Sequence, residues 1–399
     1  MTVLDPFAPE VRDDPFPVYA ALRDGGAVHW NESQESFLAT RYADCVNVLR
    51  APGTSVDNRN AGRIAGRRAA LRANTPLAAL DVRPMLFADP PDHTRLRSLV
   101  SKAFTPKRVE ALRPHIVELV DDLLDAAAER GAMDVVADLA FPLPVIVICE
   151  LLGVPVADRD ELKAWSRDLA RTIDPIISEA DAMQAAMAGM HFVNYLNHLI
   201  DERRQSPNDD LLSALIAVED EGERLTHQEL LVNTILLFVA GHETTQNLIG
   251  NGVLALLSHP EQMTWLRVDP ALERSAVEEV LRYDSPVQVT ARIFTEDGSV
   301  AGVPIPAGET VILLLGSAHR DPEQFEDPDR FDIRRENAGR NLAFGHGIHH
   351  CLGAPLARVE GQIAIGRLVR RFPRLALAGE PVRAEMFTLR GLASLPVAL

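Results

Sequence analysis

The chain has 399 residues, 47% hydrophobic and 24% charged, enough to bury a large core. Its net charge of -17 argues against general nucleic-acid or anionic-membrane binding. Three cysteines (Cys45, Cys149, Cys351) are too few for a disulfide framework and point to a reducing, cytoplasmic setting. The N-terminus, MTVLDPFAPEVRDD, has neither a basic segment nor an apolar run, so neither a signal peptide nor a membrane anchor is expected.

The length would allow two or three domains, yet no Gly/Ser-rich linker, repeat or low-complexity tract divides it. One large, mostly helical domain over residues 1–399 is the expectation. Apolar spacing predicts helices over about 15–24, 92–103, 108–129, 140–152, 158–171, 181–204, 271–283 and 352–371. The clearest stripe runs through Leu112, Ile116, Leu119, Val120, Leu123 and Leu124. Strand-like sequence gathers at 27–40 and 287–315, with turns expected at Asp297-Gly298 and Pro306-Ala307-Gly308. Residues 51–91, rich in Gly, Pro, Asn and Arg, read as a long loop with at most a short helix; loops of that length tend to be functional or disordered.

Four motifs carry chemistry. Thr226 and Glu229 form a capping box that opens a helix, apolar from Leu230 to Ala240 and then interrupted by Gly241, His242, Glu243, Thr244, Thr245 and Gln246. An unpaired buried amide or hydroxyl costs roughly 2 to 7 kcal/mol, so polar residues in mid-helix imply a wet cavity or a site. The H-E-x-x-H zinc motif fails there, because Gln246 stands where the second histidine belongs. Glu279-Val280-Leu281-Arg282 is ordinary charge pairing taken alone, and Asp327 to Asp332 (DPDRFD) follows it.

The last motif, FGHGIHHCLG from Phe344 to Gly353, fits F-x-x-G-x-x-x-C-x-G. Gly347 can supply positive φ and Gly353 lets the chain fold tightly around a large ligand. Helical sequence follows from Pro355, so Cys351 sits at a helix start, where backbone N–H groups stabilise a thiolate. A haem-thiolate site follows from this arrangement. A zinc cluster of His346, His349, His350 and Cys351 is disfavoured, since no C-x-x-C or second histidine pair occurs elsewhere.

In this order the motifs resemble the cytochrome P450 superfamily, specifically its soluble bacterial members, from about Asp14-Pro15-Phe16 to the C-terminus. The resemblance implies a mainly α fold with small β-sheets (α+β) and haem b, iron protoporphyrin IX, between the long central helix and the Cys-loop helix. Cys351 matches the proximal ligand to iron, framed by Phe344 and Gly353. His93, Arg97, Arg292 and His349 match the partners of the haem propionates. Glu279, Arg282 and Arg330 match the group that ties the cysteine loop to the core. Glu243 and Thr244 match the acid and alcohol beside the oxygen site, and Ala240 and Gly241 the small residues that leave room for O2. Two positions depart from the common pattern: Asn341, often histidine, and His319, often asparagine. Neither touches the chemistry directly.

The resemblance implies a monooxygenase that inserts one oxygen atom from O2 into an apolar small molecule, by hydroxylation or epoxidation, in bacterial secondary or xenobiotic metabolism. Substrate is expected beside Leu236, Val239 and Ala240, walled by Val287, Val289, Thr290, Thr388, Leu389, the 51–91 loop and the helices around 158–204. That last region contains Ile173, Ile176, Ile177, Met183, Met187 and Met190, and its methionines are core filler or an adaptable roof. With no flavin, iron-sulfur or nicotinamide motif of its own, the chain requires electrons from NAD(P)H through a separate ferredoxin or flavodoxin and its reductase. Arg95, Lys102, Lys107 and Arg358 are the candidate docking cations. A monomer is expected, with no nucleic-acid partner and no membrane. A haem-thiolate sensor or carrier and a peroxide-driven variant are the alternatives, and neither needs the Glu243 and Thr244 pair.

Overall fold

Helical periodicity governs the chain, and the strands gather into small sheets. In the computed structural model, which describes residues 4–62, 82–101, 105–220 and 225–399, the helices are α1 (Phe16–Gly25), α2 (Tyr42–Arg50), α3 (Asp92–Val100), α4 (Pro106–Arg130), α5 (Pro142–Leu152), α6 (Arg159–Ala170), α7 (Glu179–Gln205), α8 (Leu211–Asp220), α9 (His227–Ser258), α10 (Pro260–Val268), α11 (Glu273–Tyr283) and α12 (Ala354–Arg371). Their starts follow local chemistry. Thr105 caps α4 ahead of Pro106, and Thr226 and Glu229 make both bonds of the capping box at 3.2 and 2.8 Å. Helices α2, α8 and α10 lie where the sequence reading expects none. Each is short, and α2 is held by burying Cys45, Val48 and Leu49, while α10 begins at Pro260 directly after α9 ends. Part of the long 51–91 loop, residues 63–81, lies outside the described residues.

The first expected strand region resolves into β1 (Val28–Asn31) and β2 (Ser36–Ala39); β3 (Thr54–Ser55) and β4 (Ala132–Asp134) lie where the sequence reading expects none; the second region resolves into β5 (Val289–Phe294), β6 (Gly298–Val300), β7 (Val303–Ile305) and β8 (Thr310–Leu314). The main sheet runs in the order β1-β2-β8-β5-β3. Gly298 starts a strand, and the hairpin turn falls instead at Ala301-Gly302, with φ of 50° and 80°. The turn at Pro306 holds, with Gly308 at φ 84°. Alternation along β5 sends Val289 and Ala291 to the face packed with Phe7, Tyr19 and Leu22, which leaves Thr290 and Arg292 on the other.

Two cores meet along α9. Its C-terminal half, with Leu248, Ile249 and Val253, packs among Ile116 and Leu124 of α4, Val280 of α11 and Ile363 and Leu368 of α12. Its N-terminal half, with Leu231, Ile235 and Phe238, packs with Ile148 of α5 and Phe192 and Leu196 of α7. Each such aliphatic or phenyl side chain contributes about 1.5–3 kcal/mol when buried. The polar break sits between the two cores. Among the described residues no helix is long and apolar enough to cross a membrane.

Candidate active site

The cysteine loop is shaped by glycine. Gly345 and Gly347 have φ of 68° and 72°, and a Cβ on Gly347 would lie 3.0 Å from the Leu49 carbonyl. The Cys351 N–H then donates to the Phe344 carbonyl at 2.8 Å, closing the loop three residues before α12 begins. Gly353 follows so closely that its own Cβ would be 4.0 Å from Cys351 Sγ. Phe344 lies under the Arg358 guanidinium, 4.4 Å from its ring centroid. Cys351 is accessible, yet burial by the surrounding protein raises its thiol against the pull of the Gly353 and Ala354 N–H groups and of Arg97 and Arg358. Cys45 and Cys149 are buried, and burial pushes the Cys149 thiol up to about 12.

Beneath this loop the E-x-x-R pair is fully buried. Arg282 Nε and Nη2 meet the two Glu279 carboxylate oxygens at 2.7 and 2.8 Å. The same guanidinium donates to the carbonyls of His319 (3.0 Å), Pro328 (2.7 Å) and Arg330 (3.0 Å). Arg330 is not the third member of the group. Its side chain is 59% exposed and reaches Asp332 at 3.8 Å, so only its carbonyl joins the buried group; Arg335 Nε reaches Glu279 Oε1 at 3.3 Å instead. His319 accepts the Leu342 N–H at 2.7 Å and is held neutral, its pKa pushed down to about 3 by burial and by Arg282 and Arg320. Asn341 bonds Glu278 Oε2 at 3.0 Å and the Ala338 carbonyl at 2.9 Å. Both departures from the common pattern thus hold the loop ahead of the cysteine.

Along its mostly buried middle, α9 carries an accessible stripe of Leu236, Val239, Ala240, Glu243 and Thr244, at i, i+3, i+4, i+7 and i+8. The Thr244 hydroxyl lies 3.4 Å from the Ala240 carbonyl. Gly241 corrects one expectation. A Cβ there would meet Ile148 at 3.0 Å, so its smallness serves the packing of α9 on α5 and not room for O2.

The four expected propionate partners come together. The His93 and His349 ring centroids are 4.0 Å apart, and Arg97 donates to the His350 carbonyl. The His349 pKa is pushed down to about 3 by burial, then by His93, Arg292 and Arg97, so all four share one neighbourhood. Arg292 is buried and its pKa is lowered to about 10 by desolvation. Among the described residues it has no carboxylate at ion-pair distance; Asp89, the nearest to act on it, is bonded to Ser55 and to the Val56 N–H. Among the described residues, His93 Nδ1 and His349 Nε2 are buried without a partner. A cluster of donors with orphaned nitrogens, whose nearest carboxylate is engaged elsewhere, fits a ligand bearing two carboxylates. The zinc alternative loses its geometry: His346 turns to Arg50, while His349 turns to His93.

Residues 68–269 and 271–396 match the Cytochrome P450 family model. The chain is a cytochrome P450. Among curated relatives, this P450 is 47% identical to Vitamin D(3) 25-hydroxylase of Pseudonocardia autotrophica, over 99% of this chain and 96% of the relative. It is 48% identical to cytochrome P450 monooxygenase PikC of Streptomyces venezuelae, over 96% and 91%. Among solved structures, ligand-free CYP164A2 of Mycobacterium smegmatis superposes with a TM-score of 0.92 at 42% identity, covering 100% of this chain and 99% of that one. The P450 is therefore a haem enzyme and a monooxygenase acting on small molecules.

Part of the expected substrate wall is corrected. Val289 belongs to the core beside Phe7 and Tyr19, away from Thr290. Val287 bridges to Leu389, and the Thr388 hydroxyl donates to the Ile173 carbonyl at 3.2 Å. Phe192 of α7 meets Phe238 of α9 at 5.3 Å, and Met183, Met187 and Met190 lie on the opposite, exposed face of α7. They form neither core nor roof. Sequence reasoning missed Asp174, whose carboxylate takes the Phe387 and Thr388 N–H groups at 3.1 and 2.7 Å and so ties the α6–α7 connection to the Thr388 wall.

Proposed function

We propose that Cys351 ligates haem b iron, that His93, Arg97, Arg292 and His349 hold its propionates, and that Glu243 and Thr244 serve proton delivery to O2. The whole chain acts as one unit. The observation that carries this reading is the accessible stripe of α9 with its acid and alcohol, Glu243 and Thr244, in a chain where a desolvated cysteine and a cluster of histidines and arginines occupy the Cys-loop side. When bound, thiolate-ligated haem supplies the reductive splitting of O2, one atom passing to substrate and the other leaving as water after two electrons and two protons. The chain's own residues supply the rest. Ala240, without a larger side chain, keeps space beside Thr244. The Thr244 hydroxyl donates a hydrogen bond into that space, and the Glu243 carboxyl takes up and returns protons one turn away. Leu236, Val239 and Thr290 offer mostly apolar surface that excludes water and orients a hydrophobic substrate.

Relatives named for vitamin D(3) and 6-deoxyerythronolide B support a bulky, mostly apolar ring compound as substrate. Electrons come from NAD(P)H through a ferredoxin or flavodoxin and its reductase, in the cytoplasm, to a monomer. Of the docking cations, Lys107 is exposed and Lys102 lies outside the described residues. Arg95 is paired with Glu229, and Arg358 with Glu278 at 2.5 Å, so these two offer less free charge than their number suggests. The test is turnover under 18O2 with a heterologous ferredoxin and reductase, using a compound that shifts the haem spectrum. One labelled oxygen atom per product is expected; unlabelled product, or product formed only with added peroxide, would contradict the reading.

A further inference from the structure

His242 is the one residue of the polar break that is completely buried, at 0% exposure, and the proposed chemistry does not use it. Its ring is enclosed by Phe141 and Phe238, with centroids at 6.0 and 5.4 Å. Nδ1 lies 2.9 Å from the Phe238 carbonyl. A carbonyl can only accept, so Nδ1 carries a hydrogen. The other nitrogen, Nε2, lies 3.4 Å from Glu243 Oε1 and 3.3 Å from Ser166 Oγ of α6. With Nδ1 protonated, a neutral imidazole would turn a lone pair toward an ionised Glu243. That contact is attractive only when one proton lies between them, on Oε1 or on Nε2.

We propose that His242 is a positioning residue that holds a proton against Glu243, so that the acid facing the α9 stripe is reloaded from its buried side. The step balances with the one proton the pair holds: Glu243 gives up that proton toward the Thr244 side, the Ser166 hydroxyl passes its own proton to Nε2 as it takes up one from solvent water, and the proton on Nε2 then moves to Oε1. Other titratable groups on the surrounding elements are few. Lys163 of α6 sits 3.9 Å from the Phe141 ring centroid, the Cys149 thiol of α5 is pushed up to about 12, and α7 meets this part of α9 through Phe192. The inference rests on the proposed role of Glu243, and its test separates the two.

The readout is the C–O stretching band of the carbon monoxide complex of the reduced holoenzyme, which senses charge near the iron and needs neither substrate nor redox partner. Followed from pH 5 to 9, the wild type should show one step. His242→Gln and His242→Asn should move that step down by at least one pH unit, a tenfold loss of proton affinity. Glu243→Asp, which withdraws the carboxylate from Nε2 without touching the buried ring, should do the same. In Glu243→Gln the step should vanish. A step that survives Glu243→Gln belongs to another group and overturns both this inference and the role of Glu243. If Glu243→Gln removes the step while Glu243→Asp, or either His242 variant with full haem, leaves it in place, His242 holds no proton for Glu243 and only this inference fails. A wild type without a step overturns it as well.

Discussion

The framework under the cysteine loop and the α9 face opposite it use polar groups in opposite ways. Below the loop, Glu279 and Arg282 are fully buried and almost every donor and acceptor around them is matched, with backbone carbonyls from His319 to Arg330 gathered on one guanidinium. Along α9, by contrast, Glu243 and Thr244 stand on an accessible stripe, and Thr244 has only a long bond to its own helix. Saturated polar networks fix a geometry; polar groups left partly free are available for chemistry. The difference separates the residues that hold the proposed iron ligand from those proposed to handle oxygen and substrate, and substitutions should sort along that line.

The largest effect is expected in the framework. Arg282→Ala leaves Glu279 charged and buried without its bidentate partner, and should cost about 3–5 kcal/mol, read as lost haem-loaded protein and a fall in denaturation midpoint. Next, Arg335→Ala should cost about 1.5–3 kcal/mol, because it removes a charge-assisted bond to Glu279, whereas Arg330→Ala should stay within about 0.5 kcal/mol. Equal losses in chemical denaturation would erase the distinction between the two arginines.

Glu360 of α12 sharpens the comparison from another side. Among the described residues neither of its buried carboxylate oxygens has a hydrogen-bond partner, and burial pushes its pKa up to about 8 from 4.5. A raised folded-state pKa means that its contribution is full below the unfolded value of 4.5 and is lost as pH rises through about 8. Glu360→Gln should therefore match the wild type near pH 4.5 and become the more stable protein by pH 8–9. Stability curves that run parallel across this range would show that the carboxyl finds a partner in solution. On the α9 face, Thr244→Ala should change stability by less than about 1 kcal/mol, since the side chain is small and accessible. Its effect should fall on coupling, with less product and more peroxide per NAD(P)H consumed.

The cysteine loop was legible because glycine spacing and one thiol before a helix form a local pattern, and the α9 break because a buried helix tolerates polar residues only at a site. What the sequence could not give depended on facing. Arg330 and Arg335 lie in one short run, and only the path of the chain decides that residue 330 presents its carbonyl and residue 335 its guanidinium. Val289 and Thr290 are adjacent in a strand, so a choice of sheet face exchanges wall for core. Gly241 reads equally as room for a ligand or room for Ile148. Met183, Met187 and Met190 share a helical stripe whose direction is set by Phe192 meeting Phe238. His242, inside the break that sequence flagged, stayed unassigned because its partners come from α6 and from the turn at Phe141.

The central claim, that one glycine-framed cysteine among three carries the iron, is tested most directly by the carbon monoxide difference spectrum of the reduced holoenzyme. Cys45→Ala and Cys149→Ala should keep the red-shifted thiolate band, and Cys351→Ser should lose it even where haem remains bound. A thiolate band that persists in Cys351→Ser would contradict the account.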